Sequence, residues 1–185
     1  GEIWDSDGNR KLYEPPVDKL TLQVRRDRKE NPYLEELFAW AESYYAFMFS
    51  TSMPTDLFVG NFREDIYHLD SLAMVPQILQ QLLAEKSGYG SIIADMREIG
   101  YQIDKIALSP VIPPVIPLPA LAVTLQEQDL PCETIQIEMS SGMYRALAMV
   151  VIVNYLLEKK MPCTFAVDDI GEGLDFERSR KLIRR

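Results

Sequence analysis

The last third of the chain restricts the fold most. "TIQIEM" (134–139) alternates apolar and polar residues as a strand does, and "SSG" (140–142) makes a sharp turn. "MYRALAMVVIVNYLLEKK" (143–160) reads as a long, very apolar helix that "MP" (161–162) breaks. "CTFAV" (163–167) is expected to be a buried strand running straight into Asp168 and Asp169. After "GEGLD" (171–175), "FERSRKLIRR" (176–185) begins another helix. The order strand, helix, strand, helix predicts an α/β architecture with a parallel sheet and helices packed on it.

The length of 185 residues allows one domain of ordinary size with a real core. A hydrophobic fraction of 47% with 25% charged residues is that of a soluble globular protein. No apolar run approaches the roughly 20 residues that span a bilayer, so no membrane partner is expected. The polar, acidic start "GEIWDSDGNRK" is not a signal peptide, and Gly1 without a methionine reads as a cut site or cloning scar. Cys132 and Cys163 have no metal-site spacing. Both read as reduced structural thiols of a cytoplasmic protein, Cys163 within the buried strand. Net charge is −9 over the chain and +4 over its last nine residues, which leaves −13 on the rest. An acidic body is a poor nucleic-acid surface, and the basic tail reads as a solvated helix face or a phosphate contact.

Earlier segments are more varied. "DSDGNRK" (5–11) is a hairpin-type turn, and Leu20–Val24 alternates like a strand. A helix is expected from Asn31 as N-cap and Pro32 as first helical residue. Its core face is Tyr33, Leu34, Leu37, Phe38, Ala41, Tyr44 and Tyr45. Residues 71–86 read as a helix with Leu72, Val75, Leu79, Leu82 and Leu83 on one side and Pro76 near its start. "GYG" breaks it and a second helix resumes with Ser91 as a candidate cap, giving a helical hairpin. Five prolines in 109–123 exclude helix and predict an extended, partly polyproline segment. The sole histidine, His68, has no His or Cys nearby and supports neither a metal site nor a nucleophilic triad.

Two motifs carry chemistry. Ser140, Ser141 and Gly142 sit where a turn enters the long helix, so free N–H groups and the positive end of the helix dipole make an anion site. The plainer alternative is a helix cap. Asp168 ends an apolar strand, where a carboxylate can hold Mg²⁺ beside a phosphate, and the adjacent Asp169 can orient water. The plainer alternative is two solvated acids at a turn. Arg145, one turn into the helix, is expected to support the SSG turn or an opposed subunit; a solvent-facing arginine is the alternative.

With "SSG", one long helix, one apolar strand, "DD" and "GLD" in this order, the chain resembles the SMC/RecF-like branch of ABC-type ATPases. These are AAA-type ATP-binding proteins of prokaryotic DNA repair and anti-phage defence. The resemblance is strong over 133–185 and looser over 31–106. It lays Ser140, Ser141 and Gly142 on the nucleotide-binding signature, and Asp168 on the Mg²⁺-associated Walker B aspartate. Asp169 falls on the catalytic acid, and Gly173, Leu174 and Asp175 fall on the D-loop. It implies a P-loop NTPase-like fold. Residues 1–30 would then end an N-terminal lobe, 31–108 form a helical region, 109–132 a Pro-rich extended connection and 133–185 the C-terminal lobe. It implies ATP and Mg²⁺ as cofactors and a homodimer through the nucleotide sites. An effector protein and nucleic acid are further partners it admits for the intact protein.

Two departures qualify the resemblance. The catalytic acid of the family is usually Glu, and Asp169 is one methylene shorter. No glycine is followed by Lys, so there is no G-x-x-x-x-G-K-[ST] loop, and the switch histidine after the D-loop is also missing. The expectation is therefore an incomplete ATPase, inactive until a lobe with that loop completes it. Two rival expectations are a nucleotide sensor or scaffold that barely hydrolyses ATP, and a metal-dependent nuclease using Asp168, Asp169 and Glu172.

Overall fold

A computed structural model describes residues 2–4, 7–12, 17–24, 28–29, 32–48, 74–112 and 120–184. His68, Leu72, Asn31 and the centre of the proline-rich segment, 113–119, lie outside the described residues. The chain divides into two units, residues 1–44 and 45–185.

In the first unit, β1 (Glu2–Trp4) pairs antiparallel with β2 (Arg10–Leu12) around the expected turn, where Gly8 takes φ +80°. Arg10 and Glu2 form an ion pair across the pair of strands. The Leu20–Val24 strand expectation is corrected: Thr21–Val24 is a single helical turn, α1. A lone five-residue strand needs a neighbour for its N–H and C=O groups, whereas a helical turn begins to satisfy its own. Helix α2 (Pro32–Glu42) starts at the proline as expected but is shorter than expected. Ser43 ends it by donating from its N–H and hydroxyl to the Trp40 carbonyl, at 3.0 and 2.8 Å. Of its expected core face, Leu34 is buried, while Leu37, Ala41 and Tyr44 are exposed.

The second unit holds the main core. β3 (Tyr44–Met48) replaces the expected last turns of the aromatic helix, so Tyr44 and Tyr45 are strand residues. Adjacent aromatic side chains fit a pleated surface better than a helix. Helices α3 (Val75–Glu85) and α4 (Tyr89–Ile99) form the expected hairpin, with Pro76 tolerated at the start of α3. The cap of α4 is Gly88 at φ +67°, not Ser91, which lies within the helix. β4 (Ile103–Val111) and β5 (Ala120–Glu127) pair antiparallel, so both ends of the proline-rich segment are extended as expected. The span read as helical, 31–108, thus also contains β3 and most of β4.

"TIQIEM" is strand only at Thr134–Ile135, β6, which pairs antiparallel with β5. A 3₁₀ turn follows at Gln136–Glu138. The cause is Gln136: its buried side chain accepts the Val123 N–H at 2.8 Å, taking the place of a strand carbonyl. Helix α5 (Ser141–Glu158) leads to β7 (Thr164–Asp168), and α6 (Phe176–Ile183) follows. β7 pairs with β3 in a small parallel sheet, separate from the antiparallel β4–β5–β6 sheet. The architecture is mixed α/β, but the expected parallel sheet joining the strands on either side of α5 is corrected: β6 and β7 belong to different sheets. Cys163 is also corrected; it precedes β7 and is exposed, as is Cys132, and both thiols are free. Among the described residues no helix is long and apolar enough to cross a membrane.

Helix α5 is the centre of the core, buried at every residue from Gly142 to Leu156 except Val153. It packs on α3 and α4. Polar bonds tie the same faces: Asn154 Nδ2 donates to Asp95 Oδ2 at 2.8 Å within the core, and Lys159 bonds Glu85 at 2.8 Å at the rim. Phe165 of β7 stacks against Tyr45 and Phe47 of β3 with ring centroids 5.9 and 5.7 Å apart.

Leu79, fully buried on α3, and Leu157, 69% exposed on α5, give a direct test of this packing. Leu79→Ala is expected to cost about 2–5 kcal/mol of unfolding free energy, and Leu157→Ala within about 0.5 kcal/mol of none. Urea denaturation measures both. Equal losses would contradict the burial assigned to the helical hairpin.

Candidate functional site

The two motifs singled out in the sequence meet in space. Ser140 is the N-cap of α5, and its Oγ accepts the Met143 N–H at 3.2 Å. The capping alternative therefore holds for Ser140, but a hydroxyl that accepts a bond retains a hydrogen to donate. Ser140 and Ser141 are exposed and Gly142 is buried. What buries Gly142 is the loop after β7. A Cβ on Gly142 would lie 1.9 Å from the Gly173 carbonyl oxygen and 3.1 Å from a Leu174 methyl. The contact is main chain against main chain, which only glycine permits. Gly173 itself takes φ +75°, and a Cβ there would meet Ser141 Oγ at 3.0 Å.

Arg145 secures this contact. It is only 5% exposed, and its guanidinium donates to the Glu172 carbonyl at 2.6 Å. The Glu172 carboxylate is 3.9 Å away and largely in solvent, so the carbonyl bond dominates. The solvent-facing alternative for Arg145 is overturned. Its burial also explains how a charge is tolerated in an apolar helix: the charge-assisted bond to a carbonyl offsets part of its desolvation. Next to it, burial pushes the Tyr144 phenol far above its ordinary range, so it stays protonated.

Asp168 ends β7 with its side chain exposed. Asp169 follows at φ +52°, in the left-handed region, and its carbonyl accepts the Glu172 N–H at 2.8 Å to close the turn. Asp and Asn tolerate this backbone better than most residues, which gives a conformational reason for Asp rather than Glu at this position. Leu174 N–H donates to the Gly171 carbonyl at 3.0 Å, and Leu174 packs on the core. Asp175 is the N-cap of α6, accepting the Arg178 N–H at 2.9 Å. That capping bond engages one carboxylate oxygen, and the Arg178 guanidinium lies 3.3 Å from the other. Arg178 in turn stacks over the Tyr101 ring at 4.5 Å, anchoring α6 to the end of α4.

Ser140–Gly142, Arg145 and the 169–175 turn thus form one unit, with exposed hydroxyls at the start of α5 and exposed carboxylates at the end of β7. Among the described residues no three His, Cys, Asp or Glu side chains form a group that could hold a metal ion. Asp168, Asp169 and Glu172, the three acids of the nuclease expectation, do not form such a group. A single carboxylate suits a Mg²⁺ that brings its own phosphate and water ligands. The bond from Arg145 to the Glu172 carbonyl has no sequence signal beyond an arginine inside an apolar run. No family model matches the chain, and no curated protein or solved structure is similar to it.

Gly142→Ala must displace the 171–175 turn and is expected to lower stability by about 1–3 kcal/mol. Gly90, early in α4 with nothing near its missing Cβ, is the control. Gly90→Ala is expected to be neutral or to add up to about 1 kcal/mol. Urea unfolding of the two variants checks the pair, and a neutral Gly142→Ala would show that the turn does not sit on α5.

Proposed function

We propose that this chain is the signature-bearing part of an ATP-binding, ABC-type ATPase of the SMC/RecF-like kind. It acts as a nucleotide-dependent dimerisation switch in prokaryotic DNA repair or anti-phage defence. The observation that carries the proposal is the meeting of the SSG turn and the GLD turn at Gly142 and Gly173. Motifs 31 residues apart, from Gly142 to Gly173, gain nothing from such an approach as separate caps. As parts of one nucleotide-facing surface they must be adjacent.

In this reading each residue has a separate task. The Ser140 and Ser141 hydroxyls and the N-terminus of α5 bind the phosphate end of ATP held by a second subunit. Asp168 binds Mg²⁺, directly or through its water, for the nucleotide of its own subunit, and Asp169 accepts a proton from the attacking water. Gly173 and Leu174 seat the D-loop on α5, and Asp175 fixes the start of α6. Bound Mg²⁺–ATP would supply the electrophilic phosphorus and the charge that neutralises the acidic pair. A phosphate-binding loop with its lysine must come from outside these 185 residues. The mixed α/β fold, with a parallel pair β3–β7 ending in Asp168, supports a P-loop NTPase-like lobe. A cytoplasmic location fits the two free thiols.

A second reading, a sensor or scaffold that binds ATP and turns it over slowly, draws on one observation. Asp169 is short and held in a left-handed turn, which limits how far its carboxylate reaches.

Two measurements test the proposal. Calorimetry on the 185-residue chain alone is expected to show no micromolar binding of Mg²⁺–ATP, because the loop that makes most phosphate contacts is not in it. In the protein that carries that loop, Asp169→Asn is expected to keep ATP-dependent dimerisation and lose turnover by about 100-fold or more. Full turnover in Asp169→Asn would remove Asp169 from the chemistry. Turnover already negligible in the unmutated protein would select the sensor.

A further inference from the structure

The antiparallel sheet ends in β4, and among the described residues no strand pairs on its outer side. Two bonds fix which way its main-chain groups point. The Ile106 N–H donates to the Tyr89 hydroxyl at 3.1 Å, and the Val123 N–H of β5 donates to Gln136 at 2.8 Å. In the register Leu108 faces Val123 and Ile106 faces Leu125, so in both pairs the main-chain groups point away from the partner strand. The outer edge of β4 therefore presents the Ile106 carbonyl, the N–H and carbonyl of Leu108, and the Pro110 carbonyl. Tyr89 closes one end of this row, and Pro110, which has no N–H, closes the other.

Beside the edge lies a groove of about 510 Å³ lined by Leu83, Lys86, Tyr89, Ile106, Ala107 and Leu108. Ile106 and Leu108 share a face of the strand, the one that contributes to the core. Lys86 caps α3 at φ 54°, is exposed, and takes part in none of the ion pairs formed among the described residues. Among the described residues the groove is thus apolar walls, one cation outside any ion pair and one strand edge without a partner.

We propose that this edge binds an extended segment of a partner protein, which adds to β4 as an antiparallel strand and places an apolar and an acidic side chain two residues apart in the groove. Each part of the occupant answers a feature of the surface. Open N–H and C=O groups in strand register are met by an extended backbone, apolar walls by an apolar side chain, and Lys86 by a carboxylate. The incoming residue opposite Leu108 exchanges two main-chain bonds with it, and the residue two along donates to the Ile106 carbonyl. Both point to the same face, which sets the spacing. A second copy of β4 fits worse: its Ile106 N–H is already bonded to Tyr89, and its one carboxylate, Asp104, is already engaged by Arg97 and Gln128. The proposal does not rest on the nucleotide reading.

The test is selection of a random heptapeptide library on phage against the 185-residue chain, followed by synthesis of the most enriched peptide. Enriched peptides are expected to share the pattern apolar–any–acidic, in either direction. Binding of the synthetic peptide is expected to slow hydrogen exchange of the Leu108 amide by about tenfold or more. The exposed Lys86→Glu change, with circular dichroism confirming its fold, is expected to weaken that peptide by about tenfold and to shift selection from acidic to basic residues. No enrichment, protection that leaves the Leu108 amide unchanged, or equal binding to Lys86→Glu would overturn the proposal. So would Leu108 protection that arises by self-association without peptide.

Discussion

A helix that is apolar around its whole circumference cannot lie on a surface, and α5 is such a helix. From Gly142 to Leu156 every residue but Val153 is buried, so α3 and α4 pack on it and its two ends are held where the core places them. The buried Asn154 and Arg145 along it are both bonded. Asn154 bonds Asp95 and the Val150 carbonyl, and Arg145 bonds the Glu172 carbonyl. The start of α5 therefore cannot shift without disturbing the core. The SSG turn inherits that rigidity, which the phosphate-binding role proposed for it would require because hydrogen-bond donors must be held in place before an anion arrives.

The second consequence concerns the acidic loop. Gly142 and Gly173 touch through their main chains, and Arg145 reaches under the loop to its carbonyl. The loop that carries Asp168 and Asp169 into the GLD turn is thereby fastened to the helix that begins with SSG. Under the proposed function, Mg²⁺ arriving at the carboxylates would act on the SSG turn through one backbone contact and one guanidinium bond. That coupling would be the physical content of the proposed switch: charge neutralisation at one end of β7 and anion capture at the start of α5 would act on one piece of structure.

Much of this arrangement was legible in the sequence where one local signal sufficed. The apolar helix read over 143–160, observed as 141–158, the two carboxylates at the end of "CTFAV" and the start of α6 all emerge close to where the pattern puts them. The Pro32 start of α2 did as well. The misses share a cause: they depend on what another segment does. "TIQIEM" alternates perfectly, yet it stops being a strand after Ile135 because the Gln136 side chain, not its backbone, serves β5. Tyr44 and Tyr45 continue the helical spacing, yet a partner strand, β7, draws them into β3. At the site, the order of motifs pointed to Ser140–Gly142 and Gly173–Asp175 together, but not to Asp175 acting as a cap or to Arg145 holding a carbonyl. The groove beside β4 draws on α3, α4 and a strand edge, and no single stretch of sequence encodes it.

The claim on which the rest turns is that SSG completes a site in a second subunit. In the protein that carries the phosphate-binding loop, Ser141→Arg is expected to block the turn and Asp168→Ala to remove the proposed Mg²⁺ ligand, so that each variant alone is inactive. Mixing the two is the most direct measurement. A mixed dimer pairs the sound Asp168 of one chain with the sound SSG of the other, giving one working site and one with both lesions. If half of the dimers are mixed, ATPase activity should return to about a quarter of the unmutated level, by the symmetry of a two-fold dimer. Mixed dimers that form and show no ATPase activity at any ratio would contradict the account.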